Sequence, residues 1–100
     1  MRTGIELIAE ERQRQIEVEG WTPEHDDVHV DGQLARVAAS YAMPVGKGRI
    51  DARREFFLSG IGEDWWKPSP DNRIRELVKA GALIAAEIDR LNRRAIASKA

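Results

Sequence analysis

One hundred residues without a cysteine, carrying 16 Lys and Arg against 17 Asp and Glu, predict one small domain close to electroneutral with no room for a second core. The missing thiol excludes a disulfide framework, a thiolate nucleophile and a Cys-based zinc or iron–sulfur site, and it suits a reducing cytoplasm. At 42% apolar and 33% charged residues the composition is that of a folded chain, not a disordered one. No apolar run approaches the about 18 residues of a spanning helix, and the N-terminal residues lack the apolar block of a signal peptide, so neither a membrane nor a secreted location is expected. The charges are unevenly placed. Residues 1–45 hold four basic and nine acidic side chains, whereas residues 46–100 hold twelve basic and eight acidic. This split suits a cation-recruiting segment beside a phosphate-meeting one, and equally suits two halves that attract each other on folding. Basic residues interleaved with acids argue against duplex nucleic acid as a partner.

Apolar spacing predicts helices throughout, with no alternating run long enough for a sheet. The first covers about residues 5–18, with Thr3 as N-cap, Gly20 as stop and a thin stripe of Ile5, Ile8, Ala9 and Ile16. Trp21-Thr22-Pro23-Glu24 reads as a short helical turn, since Thr caps and Pro is tolerated at the first helical position. A second main helix is expected over residues 31–43, ended by Pro44, with Leu34, Val37, Ala38 and Tyr41 on its inner face. Ala35, Ala39 and Ala42 make the rest of that helix slim enough for a close neighbour. From Pro44 to Pro70 four glycines and the prolines mark a long irregular connection, with a helical piece near residues 50–58. The last helix is expected over residues 71–94, with residues 95–100 as a frayed tail to the single helical domain of residues 1–94. Ile74, Leu77, Gly81, Ile84, Ile88 and Leu91 recur at alternating steps of three and four, the seam of an antiparallel hairpin or bundle. The expected fold is therefore all-α: a small bundle of about three main helices, completed by homo-oligomerisation because so thin a domain recovers its ordering entropy poorly alone.

The densest polar cluster is residues 24–29, followed by Asp31. If residues 24–29 are helical, Glu24 and Asp27 share one face and His25 and His29 another. Glu24, Asp27 and Asp31 suit a hard, oxygen-seeking cation such as Mg2+, while the two imidazoles suit zinc but lack an evident third ligand. The alternative is a solvated loop whose acids cap the next helix. Trp65 and Trp66, ahead of Lys67, provide either core or a stacking platform for a base with a cation near phosphate. Gly46-Lys47-Gly48-Arg49 has the glycines and charge of a phosphate loop without the Walker spacing. Glu55, Glu76, Glu87 and Asp89 are further possible cation ligands or bases, and Glu76 and Lys79 flank the seam near the start of the last helix. No spacing suggests a Ser-His-Asp or Cys-His nucleophile.

Taken together, Glu11-Arg12-Gln13-Arg14-Gln15, Gly20-Trp21, the cluster at residues 24–29, Gly32-Gln33-Leu34-Ala35 and the segment from Arg75 to Leu91 resemble small phage and prophage proteins. These in turn resemble, more distantly, the all-helical MazG-like nucleoside triphosphate pyrophosphohydrolases. The resemblance covers residues 5–43 and 73–93. It implies an oligomer in the host bacterium's cytoplasm and a magnesium-dependent attack of water on a nucleotide's phosphate chain. Glu24, Asp27 and Glu76 would be catalytic, and Glu24, Asp27 and Asp31 would hold metal. Such enzymes carry a Glu-Glu-x-x-Glu set on the second helix and a Glu-x-x-Asp set on a later one. Here the second helix has one acid, Asp31, at its start, and the last pairs Glu76 with Lys79. A non-catalytic binder, such as a sponge for a linear or cyclic nucleotide immune signal, is the alternative. In it His25, His29, Trp65, Trp66, Lys67, Arg73 and Lys79 would contact ligand. A structural or regulatory helical oligomer is the third reading.

Overall fold

The computed structural model describes residues 1–43, 67–69 and 71–99. Among them are four helices and no strand: α1 (Gly4–Glu17), α2 (Pro23–Asp27), α3 (Gln33–Ala42) and α4 (Arg73–Lys99). The glycine-rich loop at residues 46–49, the helical piece near residues 50–58, Glu55 and the tryptophan pair Trp65 and Trp66 lie outside the described residues.

The expected caps form. Thr3 Oγ1 accepts from Glu6 N at 3.3 Å and Glu6 Oε1 accepts from Thr3 N at 3.0 Å, a reciprocal box that satisfies two free N–H groups at the start of α1. Beyond α1, Gly20 adopts φ 75°, a left-handed turn that returns the Trp21 N–H to the Gln15 carbonyl at 2.9 Å. Thr22 Oγ1 accepts from His25 N at 3.2 Å and Pro23 opens α2, so this turn grows into a five-residue helix. α3 starts two residues later than the spacing predicts, because Gly32 sits at φ 83° and holds the chain out of the helix until Gln33. α4 stays helical through Lys99, beyond the expected end near residue 94.

Trp21, Leu34, Val37, Ala38 and Tyr41 pack with Ala80, Leu83 and Ala86 of α4 to form the core. The inner face of α3 is thus the predicted one, and its pairing with α4 is the main helix contact. The faces of α1 and α4 are not the predicted ones. On α1 the buried side chains are Glu11 and Gln15, while Ile5 and Ala9 face outward. On α4, Ile74, Leu77, Ile84, Ile88 and Leu91 are 47–66% exposed, and the inward arc is Glu76, Val78, Lys79, Ala80, Ala82, Leu83, Ala86 and Arg90. The alanines of that arc let α3 approach closely, which a ridge of Ile and Leu would prevent. Gly81, on the same seam, lies close against α1: a Cβ there would stand 2.5 Å from Ile8 Cδ1.

Candidate functional site

α1 has too thin an apolar stripe to bury, so its inner face is polar and must be neutralised by partners. Glu11 receives Arg14 at 2.8 and 2.9 Å and Arg75 of α4 at 2.5 Å. Burial pushes the Glu11 carboxyl up, but the two guanidinium groups outweigh it and hold the group below the usual carboxylate range. Glu19 receives Arg14 at 3.1 Å and Lys67 Nζ at 2.7 Å. Lys67 also donates its N–H to Tyr41 Oη at 2.9 Å, while its carbonyl accepts from Lys79 Nζ at 2.6 Å. Lys79 reaches Ser69 Oγ at 3.2 Å, and burial together with the charge of Arg75 pulls its pKa down. Glu76 is fully buried, accepting from Ser69 N at 3.2 Å with Arg73 at 3.6 Å. The Arg73 guanidinium donates to the carbonyls of Tyr41 at 3.1 Å, Met43 at 2.8 Å and Ala42, closing the C-terminal end of α3. Lys67, Arg73, Lys79 and Glu76 therefore meet as a polar clamp that ties residues 67–69 and the start of α4 to α3.

A second cluster sits on α2. Asp26 has no exposed surface, receives Arg12 Nη2 at 2.6 Å and lies 3.3 Å from His25 Nδ1. Arg12 Nη1 also donates to the Trp21 carbonyl at 3.1 Å. The His25 ring stacks on Trp21 with centroids 5.9 Å apart and planes 10° apart. His25 and His29 bring their Nε2 atoms to 3.5 Å with the rings edge to face. Burial, then the neighbouring His25, holds His29 below the usual imidazole range.

The third feature is a cleft of about 320 Å3 between α2 and the C-terminal third of α4, lined by Asp27, Val30, Arg90, Arg93, Arg94 and Ala97. Asp27 Oδ1 accepts from Arg93 Nη2 at 2.7 Å and Nε at 3.1 Å. Arg90 rests on Glu87 at 2.5 and 3.2 Å. Among the described residues Arg94 has no carboxylate partner.

The structure brings together His25 with His29, and Lys67, Arg73, Glu76 and Lys79 with one another. It does not gather Glu24, Asp27, Asp31 and Glu76. Glu24 and Asp31 are exposed, Asp27 is held by Arg93, and Glu76 is 17 residues up α4 from Arg93, about 25 Å along the helix axis. Among the described residues no three His, Asp or Glu side chains converge as a metal cage, so Glu24, Asp27 and Asp31 do not by themselves form the magnesium site that the resemblance implies. Glu11, Arg12, Asp26 and Arg75 carry a buried charge network, and none of them was among the expected site residues. The available signal was the Glu11-Gln15 pair four residues apart on a helix with little else to bury. Comparison with protein-family models, with curated proteins and with solved structures finds no match to the chain.

Proposed function

We propose that the protein binds a phosphorylated nucleotide without cleaving it. The observation that carries this reading is the gathering of Arg90, Arg93 and Arg94 around one cleft, while among the described residues Glu24, Asp27, Asp31 and Glu76, the acids that hydrolysis would use, are dispersed or paired. Its volume of about 320 Å3 lies within the ~300–1,000 Å3 of small-molecule sites. Phosphate oxygens would accept from Arg94 and replace Asp27 on the two N–H groups of Arg93, a bidentate geometry suited to guanidinium. Asp27 is 48% exposed, so releasing it to water costs less than about 1 kcal/mol. Val30 and Ala97 offer an apolar wall to the base or sugar. Calorimetry with linear and cyclic nucleotides tests the reading. Arg93→Ala and Arg94→Ala should each weaken binding at least tenfold, about 1.4 kcal/mol, and heating the complex should return intact ligand. Failure of every nucleotide to bind overturns it. So does magnesium-dependent release of pyrophosphate that disappears in Asp27→Ala.

A second reading, self-assembly through α4, is favoured by the exposed Ile and Leu ridge. Five half-exposed large side chains form an apolar patch on the order of 500 Å2, at the upper end for a monomer. A second copy of the same ridge is the occupant of matching character: two patches would bury on the order of 1,000 Å2, about what a specific interface needs.

A further inference from the structure

We propose that His25 and His29 form a two-histidine chelate for a borderline-soft divalent metal, zinc foremost. The ligand geometry is already in place: the two Nε2 atoms are 3.5 Å apart. Two imidazole nitrogens at ~2.0–2.1 Å from a tetrahedral zinc stand about 3.4 Å from each other. The two Nε2 atoms therefore stand at the separation a zinc ion requires, and the rings need only turn until both lone pairs meet at one point.

The surroundings are those of a metal-ligating histidine. Asp26 Oδ1 lies 3.3 Å from His25 Nδ1, which favours the tautomer with the proton on Nδ1 and the lone pair on Nε2. Asp26 is itself fixed, buried and held by Arg12 at 2.6 Å, so this orienting contact does not depend on solvent. Stacking on Trp21 restrains the other face of the ring, and the Thr22 cap sets the turn of α2 that carries it. The His25 side chain is 23% exposed, which leaves a route for an ion. Whichever ring carries an Nε2 proton in the metal-free protein must move it to Nδ1, and each new metal–nitrogen bond displaces one metal-bound water. Among the described residues no group of three or more His, Asp or Glu is placed to hold a metal ion, so the proposal rests on the two imidazoles alone. Nitrogen donors select zinc, nickel or copper over magnesium and calcium, which prefer oxygen. The site is thus distinct in chemistry from the magnesium cage, and it does not depend on the nucleotide reading.

The test uses the full chain without an affinity tag, stripped with a chelator and titrated with Zn2+. The chain has only two histidines, so the imidazole 15N resonances report the site without ambiguity. Both Nε2 signals should shift on adding Zn2+, with one ion per chain by calorimetry, and Mg2+ at the same concentration should shift neither. His25→Gln and His29→Gln should each weaken Zn2+ binding at least tenfold. Unmoved histidine resonances at saturating Zn2+ overturn the proposal, as does undiminished affinity in the folded His25→Gln/His29→Gln double variant. The resonance experiment on the unaltered protein decides the matter even if a variant fails to fold.

Discussion

Asp26 and Asp27 are adjacent carboxylates with opposite consequences. Asp26 is sealed against Arg12, and removing one member of a buried pair leaves the other charge without compensation, at a cost of about 3–5 kcal/mol. Asp27 meets Arg93 in water, where such a pair is worth about 0–1 kcal/mol. Urea unfolding should therefore show Asp26→Ala destabilised by about 3 kcal/mol or more and Asp27→Ala by less than about 1 kcal/mol. Equal losses would show that Asp26 is not sealed. The sequence made the acidic cluster visible but could not distinguish these two residues. Which carboxylate turns inward depends on where Gly20 and the Thr22 cap aim α2, and on an arginine fourteen residues earlier.

Glu11 gives the residue-scale pH dependence. Its pKa in the folded protein lies below its ordinary value of 4.5, because Arg14 and Arg75 overcome the effect of burial. A carboxylate with a depressed folded pKa contributes stability that is present above its unfolded pKa and lost as pH falls through the folded one. Glu11→Gln should cost about 2 kcal/mol at pH 7, the scale of hydrogen bonds to charged groups. The gap between the variant and the unaltered protein should close progressively below pH 4.5 in denaturant titrations run at stepped pH. A gap that persists undiminished at pH 2–3 would mean that packing, not the ion pairs, is what Glu11 contributes.

At the scale of elements both α3 and α4 were legible as helices, but the inner face was legible only for α3, for one physical reason. In α3 the large apolar residues are also the buried ones, so spacing and packing agree. In α4 the Ile and Leu ridge and the alanine arc both recur with helical period, and size alone favours the ridge as the inside. Close approach of α3 requires the small residues, and the ridge is left facing out. Gly81 marks where α1 crosses the ridge. An alanine there gains up to about 1 kcal/mol of helix propensity, but its Cβ meets Ile8 at 2.5 and 2.8 Å and forces that side chain aside. Gly81→Ala should therefore destabilise the unaltered protein and stabilise the Ile8→Ala variant, a change of sign readable in a double-mutant cycle. The same sign in both backgrounds would show that Ile8 turns aside at little cost, so that the contact does not decide the stability at this point.

At the scale of the whole molecule, the uneven charge has an internal use. Glu19 with Lys67, Glu11 with Arg75 and Asp27 with Arg93 join the acidic first half to the basic second half at three places. Charge so engaged is a weak basis for association between copies, which leaves the apolar ridge of α4. That helix is about 40 Å long at 1.5 Å per residue, and C-terminal to the point where α1 crosses at Gly81 its exposed Ile84, Ile88 and Leu91 offer a second copy a contact along the remaining turns. The two driving forces predict opposite responses to salt. Association through the ridge should survive or strengthen from 50 mM to 500 mM NaCl, whereas association between charged faces should weaken as the screening length falls from about 14 Å to about 4 Å. Sedimentation equilibrium should find a salt-tolerant dimer that Ile84→Asp or Ile88→Asp converts to a folded monomer, because both side chains lie outside the core. A chain that stays monomeric at 100 μM, or a dimer unaffected by either substitution, removes α4 as the contact and with it the reading of self-assembly.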